Sequence, residues 1–240
     1  MEKGEFKLIL LDNAKKIKMD LEDKQVDKLY EYMNLLLNWN EKMNLTAITE
    51  PKEIILKHFI DSITIAKYIK ENDKIIDIGT GAGFPGIPIK ILKPNIEIVL
   101  LDSLNKRIKF LDEVIEKLNL KKIETVHSRA EDFGRNVKKR ESFDIVMSRA
   151  VAKLAVLLEY MMPLARMHGK CISMKGVEIE EEIKLSKNAI NVLGGKIVEI
   201  DSFYLPNSDI KRNNIIIEKI KNTPSRFPRK AGMPMKEPIN

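Results

Sequence analysis

Cysteine occurs once in this chain, as Cys171 within Lys170-Cys171-Ile172-Ser173-Met174. A single thiol excludes a disulfide framework within the chain and leaves no cysteine-based metal site to expect. Histidine is also scarce: His58, His127 and His168 lie far apart, without metal-ligand spacing, so no metal is expected. No run approaches the ~20 apolar residues that a membrane-spanning helix needs. The opening Met1-Glu2-Lys3-Gly4-Glu5 lacks the basic start of a secretory signal, so a cytoplasmic protein without membrane attachment is expected. Internal repeats and low-complexity tracts are missing. So is a Tyr-x-x-x-Lys pair, the hallmark of one large reductase class: Tyr30, Tyr32, Tyr68, Tyr160 and Tyr204 are followed four residues on by Asn34, Leu36, Asn72, Leu164 and Ser208.

What is present is an apolar core and an excess of positive charge. Hydrophobic residues make up 44% of the 240, which excludes disorder. At the usual ~150 residues per domain, the length fits one α/β domain with an extension. The formal net charge of +7 favours a polyanionic partner, nucleic acid or an anionic membrane surface, although 35 acidic residues dilute the field.

The first seventy residues read as helices. Val26, Leu29, Tyr30, Met33, Leu36 and Leu37 fall on one helical face. Pro51 suits the first turn of another helix running to about Lys70. At residue 74 the pattern changes to alternation. Strands are predicted at 75–78, 96–101, 122–127, 143–147 and 169–174, with helices at 106–118, 154–165 and 178–192. Two late strands, 196–203 and 213–220, have no helix-length stretch between them and should pair antiparallel. Such alternation implies a mostly parallel sheet wrapped on both faces. The tail from Pro224 carries four prolines and should lie extended over the surface. The expected division is 1–72 helical extension, 73–222 α/β domain, 223–240 Pro-rich basic tail.

The first strand runs into Asp77-Ile78-Gly79-Thr80-Gly81-Ala82-Gly83-Phe84-Pro85-Gly86. Alternating glycines after a strand let the backbone turn sharply and approach a ligand closely. A helix should begin near Pro85, at the sheet's carboxyl edge where doubly wound folds bind nucleotides. Gly81, Gly83 and Gly86 satisfy G-x-G-x-x-G, a weak signal alone. Asp102, twenty-five residues after Asp77, ends the second strand, where an acid can accept hydrogen bonds from ribose hydroxyls. Together these form a nucleoside-binding signature, against the blander reading of a turn plus a surface aspartate. The form D-x-G-x-G-x-G, with its acid in the strand, favours adenosylmethionine over a dinucleotide.

The wider set of blocks is more specific. Asn44-Leu45-Thr46-Ala47-Ile48, Lys57-His58-Phe59-Ile60-Asp61-Ser62, Asp77 through Pro88 and Leu101-Asp102-Ser103 occur in order. Arg129-Ala130-Glu131-Asp132, Ser148-Arg149-Ala150-Val151-Ala152 and Pro228-Arg229-Lys230-Ala231-Gly232-Met233-Pro234 follow. This set closely resembles the RsmG family (also called GidB), the bacterial small-subunit ribosomal RNA guanine-N7 methyltransferases, over essentially the whole chain. The resemblance implies a class I methyltransferase fold, Rossmann-like α/β with a mostly parallel sheet and helices on both faces, plus an N-terminal helical extension. It implies S-adenosyl-L-methionine as cofactor and 16S rRNA or a small ribosomal subunit particle as partner; a monomer is expected. Carried over block by block, the cofactor contacts are Gly79 and Phe84, with Gly81 and Gly83 shaping the turn. Asp102 and Ser103 would meet the ribose and adenine side, Ala130 and Glu131 the adenine, and Arg149 the far side beyond the fourth strand. One departure is that His127-Ser128-Arg129 stands where a glycine is expected before the arginine.

Several residues carry two readings. Arg149 is either a surface ion pair or, as the resemblance implies, a cofactor contact. The segment Ser148-Arg149-Ala150-Val151 lacks the Asn/Asp-Pro-Pro-aromatic element that grips an exocyclic amine, which disfavours N6 or N4 methylation. Cys171 in an apolar strand reads as core rather than nucleophile, which disfavours C5 methylation of pyrimidines. His58 reads equally as a substrate contact or a structural polar group. Arg135, Lys138, Lys139 and Arg140, with Arg226, Arg229 and Lys230 of the tail, are candidates for tracking RNA phosphates or a solvated face. Phe227 either stacks on an unpaired base or pins the tail. Neutral guanine keeps an in-plane lone pair on N7, so no catalytic base is expected. Two rivals remain at this point: a nicotinamide-dependent reductase, and a non-enzymatic RNA-binding assembly factor with a vestigial cofactor pocket.

Overall fold

The computed structural model describes residues 1–149 and 152–239. Ala150 and Val151, part of one of the blocks above, and Asn240 lie outside the described residues.

Chain order begins with α1 (Lys3–Lys16) and α2 (Asp23–Asn40). The helix α2 starts where Gln25 Oε1 accepts the Glu22 N–H at 2.8 Å, half of a capping box. Its buried face carries Val26, Leu29, Met33 and Leu36 as the spacing requires, and also Tyr32, which the periodicity does not mark. The helix predicted from Pro51 is a chain of unlike turns. It comprises α3 (Pro51–Ile54), a π-helical stretch (Ile55–Ile60), α4 (Asp61–Ile63) and a 3-10 turn (Thr64–Tyr68). π-Helical turns are rare and concentrate at functional sites; this one carries Lys57 and His58.

The alternating part runs β1 (Lys74–Ile78), α5 (Gly86–Leu92), β2 (Glu97–Asp102), α6 (Asn105–Lys117), β3 (Ile123–His127), α7 (Ala130–Gly134) and β4 (Phe143–Arg149). It continues α8 (Leu154–Met161), β5 (Ala165–Lys175), α9 (Ile179–Leu185), α10 (Lys187–Val192), β6 (Gly195–Tyr204), β7 (Lys211–Lys219) and α11 (Met233–Lys236). The seven strands form one sheet in the order β3-β2-β1-β4-β5-β7-β6. Strands β1 to β5 pair parallel, and β7 runs antiparallel to both of its neighbours.

Four local expectations need correction. The helix expected over 154–165 ends at Met161, because Pro163 has no N–H to continue the ladder. Strand β5 therefore begins at Ala165 rather than Gly169, with an irregular step opposite Phe143–Ile145. The helix expected over 178–192 breaks at Ser186, whose Oγ donates to the Glu182 carbonyl at 2.7 Å, a back-bond that competes with the helix. The tail is not extended throughout, since it turns into α11.

Alternate residues of each strand feed two cores, one on each face. Ile75, Ile98, Leu100, Ile145 and Ile172 point to the side of α1, α2, α5 and α6, where Phe6, Leu10, Leu29, Tyr32 and Phe59 are buried. Ile76, Ile78, Leu101, Val146 and Cys171 point to the side of α8 and α10. The N-terminal helices thus share one core with a sheet face. The strand order reverses between β1 and β4, which opens a crevice at the carboxyl ends of β1, β2 and β4.

Candidate functional site

The crevice is built on the β1–α5 loop. Asp77, fully buried, accepts hydrogen bonds at Oδ2 from the Thr80 hydroxyl (2.7 Å) and the Gly86 N–H (2.9 Å), and ties the loop's two ends together. Its Oδ1 has no hydrogen-bond partner, and burial pushes its pKa up to about 7. Two glycines are steric requirements. At Gly83 (φ +96°) a Cβ would stand 2.6 Å from the Tyr32 hydroxyl and 2.7 Å from Ile87. At Gly86 it would strike Leu100 and come within 2.8 Å of the Asp77 carboxylate. From α2, the Tyr32 hydroxyl donates to the Ala82 carbonyl, so the helical extension holds the loop from behind.

Asp102 closes the opposite side and is 2% exposed. Its Oδ2 accepts the Gly81 N–H and its Oδ1 the Leu104 N–H, both at 2.9 Å, while Arg107 Nη1 donates to Oδ2 at 3.1 Å. Two cavities flank this carboxylate. The larger, about 670 Å³, is lined by Gly79, Gly81, Phe84, Asp102, Ser103 and Arg149 among others. The smaller, about 210 Å³, shares Gly79, Asp102 and Ser103 and adds Ala130, Glu131, Tyr160, Gly232 and Met235. Every residue assigned above to the cofactor therefore lines one cavity or both, except Gly83, which packs behind the loop. A helix (α7) that the sequence did not announce sets Ala130 and Glu131 at the rim.

Arg149, at the end of β4, is engaged from several directions. Its Nη1 donates to the Lys57 carbonyl (3.1 Å) and to Asp61 Oδ2 (3.3 Å), and its Nη2 donates to His58 Nδ1 (3.1 Å). The guanidinium lies 5.1 Å from the Phe84 ring centroid. Arg212 on β7 donates from Nε to the same Asp61 oxygen at 3.2 Å. Burial lowers the Arg149 pKa and Asp61 opposes that shift. The His58 ring stacks on Phe84 (4.4 Å between centroids) and its Nε2 meets the Thr46 hydroxyl at 2.9 Å. Burial, then the charge of Arg149, push its pKa down to about 3. His58 is therefore neutral at physiological pH. With Arg149 donating to Nδ1, its proton belongs on Nε2, facing Thr46. His58 is thus held by Arg149, Thr46 and Phe84 while also lining the larger cavity, a placement compatible with both of its readings.

Asp61 and Arg212 line the larger cavity, and sequence reasoning does not single them out as functional. Asp61 stands in the block with His58, so a signal existed. Arg212 has no local motif and arrives only because β7 is laid beside β5. Cys171 is fully buried, with its Sγ 3.5 Å from Met162 Sδ, and burial raises its pKa to about 12. It is a core residue. No cluster of ligating side chains suited to a metal occurs among the described residues, and no helix among them is long and apolar enough to cross a membrane.

The basic residues divide. Arg135, Lys138, Arg226 and Lys230 are exposed. Lys139 reaches Glu124 at 3.3 Å. Two residues need correction as free phosphate ligands, because their guanidinium groups are engaged within the chain. Arg140 donates to the carbonyls of Phe227 (2.5 Å), Thr223 (2.6 Å) and Pro224 (3.1 Å). Arg229 grips Glu159 with both carboxylate oxygens engaged (2.9 and 2.7 Å), and that carboxylate is 1% exposed. Phe227 is buried and pins the tail.

Comparison with known proteins follows the same lines. A family model described as rRNA small subunit methyltransferase G (GidB) matches residues 25–211. A ribosomal RNA small subunit methyltransferase G from Acetivibrio thermocellus is 53% identical, with both chains covered in full. Its counterpart from Alkaliphilus metalliredigens is 50% identical over 98% of this chain and 99% of its own. Among solved structures, a SAM-dependent methyltransferase from Aquifex aeolicus superposes with a TM-score of 0.57 at 15% identity, over 74% of this chain and 97% of its own. An M. jannaschii TYW2 in complex with AdoMet gives 0.54 at 17%, over 67% and 75%. These two likenesses concern the fold.

Proposed function

Since the chain belongs to the rRNA small subunit methyltransferase G family, we propose that it transfers a methyl group from S-adenosylmethionine to N7 of a guanine in small-subunit rRNA. One observation carries this reading. The glycine loop, Asp102 and Arg149, distant in sequence, converge on one crevice whose loop tolerates no side chain at Gly83 or Gly86. When bound, S-adenosylmethionine supplies an electrophilic methyl group on a sulfonium. We assign Gly79, Gly81 and Phe84 to its approach surface, Asp102 and Ser103 to the ribose, and Ala130 and Glu131 to the nucleobase. The paired cavities on either side of Asp102 support that assignment.

Guanine N7 offers its lone pair while the base is neutral, so no side chain has to remove a proton. The residues present fit that demand. His58 is held neutral and tied to Arg149 and Thr46, and Cys171 lies in the core. Arg149 and Phe84 form a rigid floor, so alignment and water exclusion supply the rate. We place the exposed Arg135, Lys138, Arg226 and Lys230 along the RNA path, and the protein in the cytoplasm, where rRNA is made.

The test uses S-adenosylhomocysteine and NADPH in parallel titrations, then methyl transfer to rRNA carrying 7-deazaguanine at the modified position. Binding of the first ligand alone is expected, with transfer abolished by the deaza substitution while RNA still binds. At saturating RNA and cofactor the transfer rate should stay flat from pH 6 to 9. NADPH binding would restore the reductase reading, and methylation of the deaza RNA would move the reaction to another atom.

A further inference from the structure

The smaller cavity has a wall that no motif assigned to the cofactor supplies. Ile78, Leu101, Ala130 and Glu131 come from the sheet edge and α7, but Gly232 and Met235 come from the tail, beyond the last strand. The tail reaches this place by specific interactions. Arg140 collects three tail carbonyls, Phe227 is buried, and the Arg229 guanidinium and backbone N–H both bond to the buried Glu159 carboxylate. Beyond Arg229, the Gly232 N–H donates to Glu131 Oε1 at 2.9 Å. The carboxylate at the rim of the cavity is thereby fixed by the tail, at a glycine whose φ of +84° suits few other residues. Met235, on α11, then lines the cavity while remaining 62% exposed, the disposition of a rim residue rather than a core one.

We propose that the C-terminal segment from Gly232 to Met235 is the outer wall of the cofactor's nucleobase pocket, with Met235 setting the size of purine edge the pocket admits. This rests on the reading of the crevice as an S-adenosylmethionine site. A flexible thioether closes over the open edge of an aromatic ring with good fit and little strain. Arg229 and Arg140 act as positioning residues, since they touch the tail and not the cavity.

The test pairs two probes, S-adenosylhomocysteine and its N6-benzyl analogue, by isothermal titration against the full chain, Met235→Ala and Met235→Trp. The exposed position lets all three proteins fold, which thermal unfolding verifies. The full chain should bind the benzyl analogue at least roughly ten-fold more weakly than the parent. Met235→Ala should narrow that gap while weakening the parent by about three-fold, as expected when one partly buried thioether is removed. Met235→Trp should widen the gap. An unchanged preference across the three proteins, with the parent still bound, overturns the wall and leaves the cofactor site standing. Failure of the full chain to bind S-adenosylhomocysteine overturns the site itself, and the wall with it.

Discussion

Asp77 and His58 are buried about the same loop and pushed in opposite directions, which makes a pH signature. Asp77 holds its proton up to about 7, whereas the unfolded chain releases it near 3.8. Between those values folding takes up a proton, so this group makes stability fall as pH rises. His58 stays neutral down to about 3, whereas the unfolded chain protonates near 6.5. In that window folding releases a proton, so this group makes stability rise with pH. From about pH 4 to 6.5 the two slopes offset. Asp77→Asn should unmask the rise and His58→Gln the fall, each by roughly 2–3 kcal/mol between pH 4.5 and 6.5. Urea midpoints of both variants at the two pH values measure it. Curves parallel to that of the unaltered protein would show that neither group is perturbed by folding.

Outside the sheet, α2 holds the glycine loop through one phenol. Tyr32→Phe removes the donor to the Ala82 carbonyl and leaves that carbonyl buried without its partner. A loss of about 1–2 kcal/mol in stability is expected. Weaker S-adenosylhomocysteine binding is expected with it, read by chemical denaturation and titration on one preparation. Stability reduced with affinity intact would make α2 a support for the core alone. Elements of this kind also show what the sequence could and could not announce. The β1 strand, its glycine loop and the terminal Asp102 are local patterns, legible from spacing. The Tyr32 hydrogen bond is not, because the helical stripe that marks a buried face says nothing of a polar tip reaching across fifty residues to a loop. Asp61, Arg149 and Arg212 meet from three separate elements, so only tertiary structure brings them together. The break at Pro163 is legible in the chain, although the apolar run of α8 continues across it in pattern.

For the molecule as a whole, the net charge of +7 comes from exposed basic side chains and from others engaged within the chain. Replacing Arg135, Lys138 and Lys230 by glutamine should flatten the salt dependence of RNA binding, by up to about one logarithmic unit for each phosphate left without its cation. Cofactor affinity should not move. Arg229→Ala should instead cost about 3 kcal/mol in stability, because it strands the buried Glu159 carboxylate. A salt titration and a denaturation series separate the two groups. An Arg229 variant as stable as the parent, with a flattened salt slope, would return that residue to the RNA surface. Composition carried only the sign of the net charge. It had no means of telling a solvated arginine from one that holds the tail.

The strand order has a consequence in time. Among the described residues the outermost strand β6 is hydrogen-bonded to the sheet through β7 alone, and the two are joined by the short turn at 205–210. Hairpins of this length close in microseconds, whereas β1 and β4 must find each other across 79–142, an entropically slower search. The β6–β7 ribbon is therefore expected to pair before the parallel sheet is complete and to dock along β5 as a unit. Arg212, carried on that ribbon, reaches Asp61 only with the docking. A side chain of the crevice is thus carried in by a piece expected to form early, and in pulse-labelled exchange the β6–β7 amides should gain protection ahead of the β1–β4 pair.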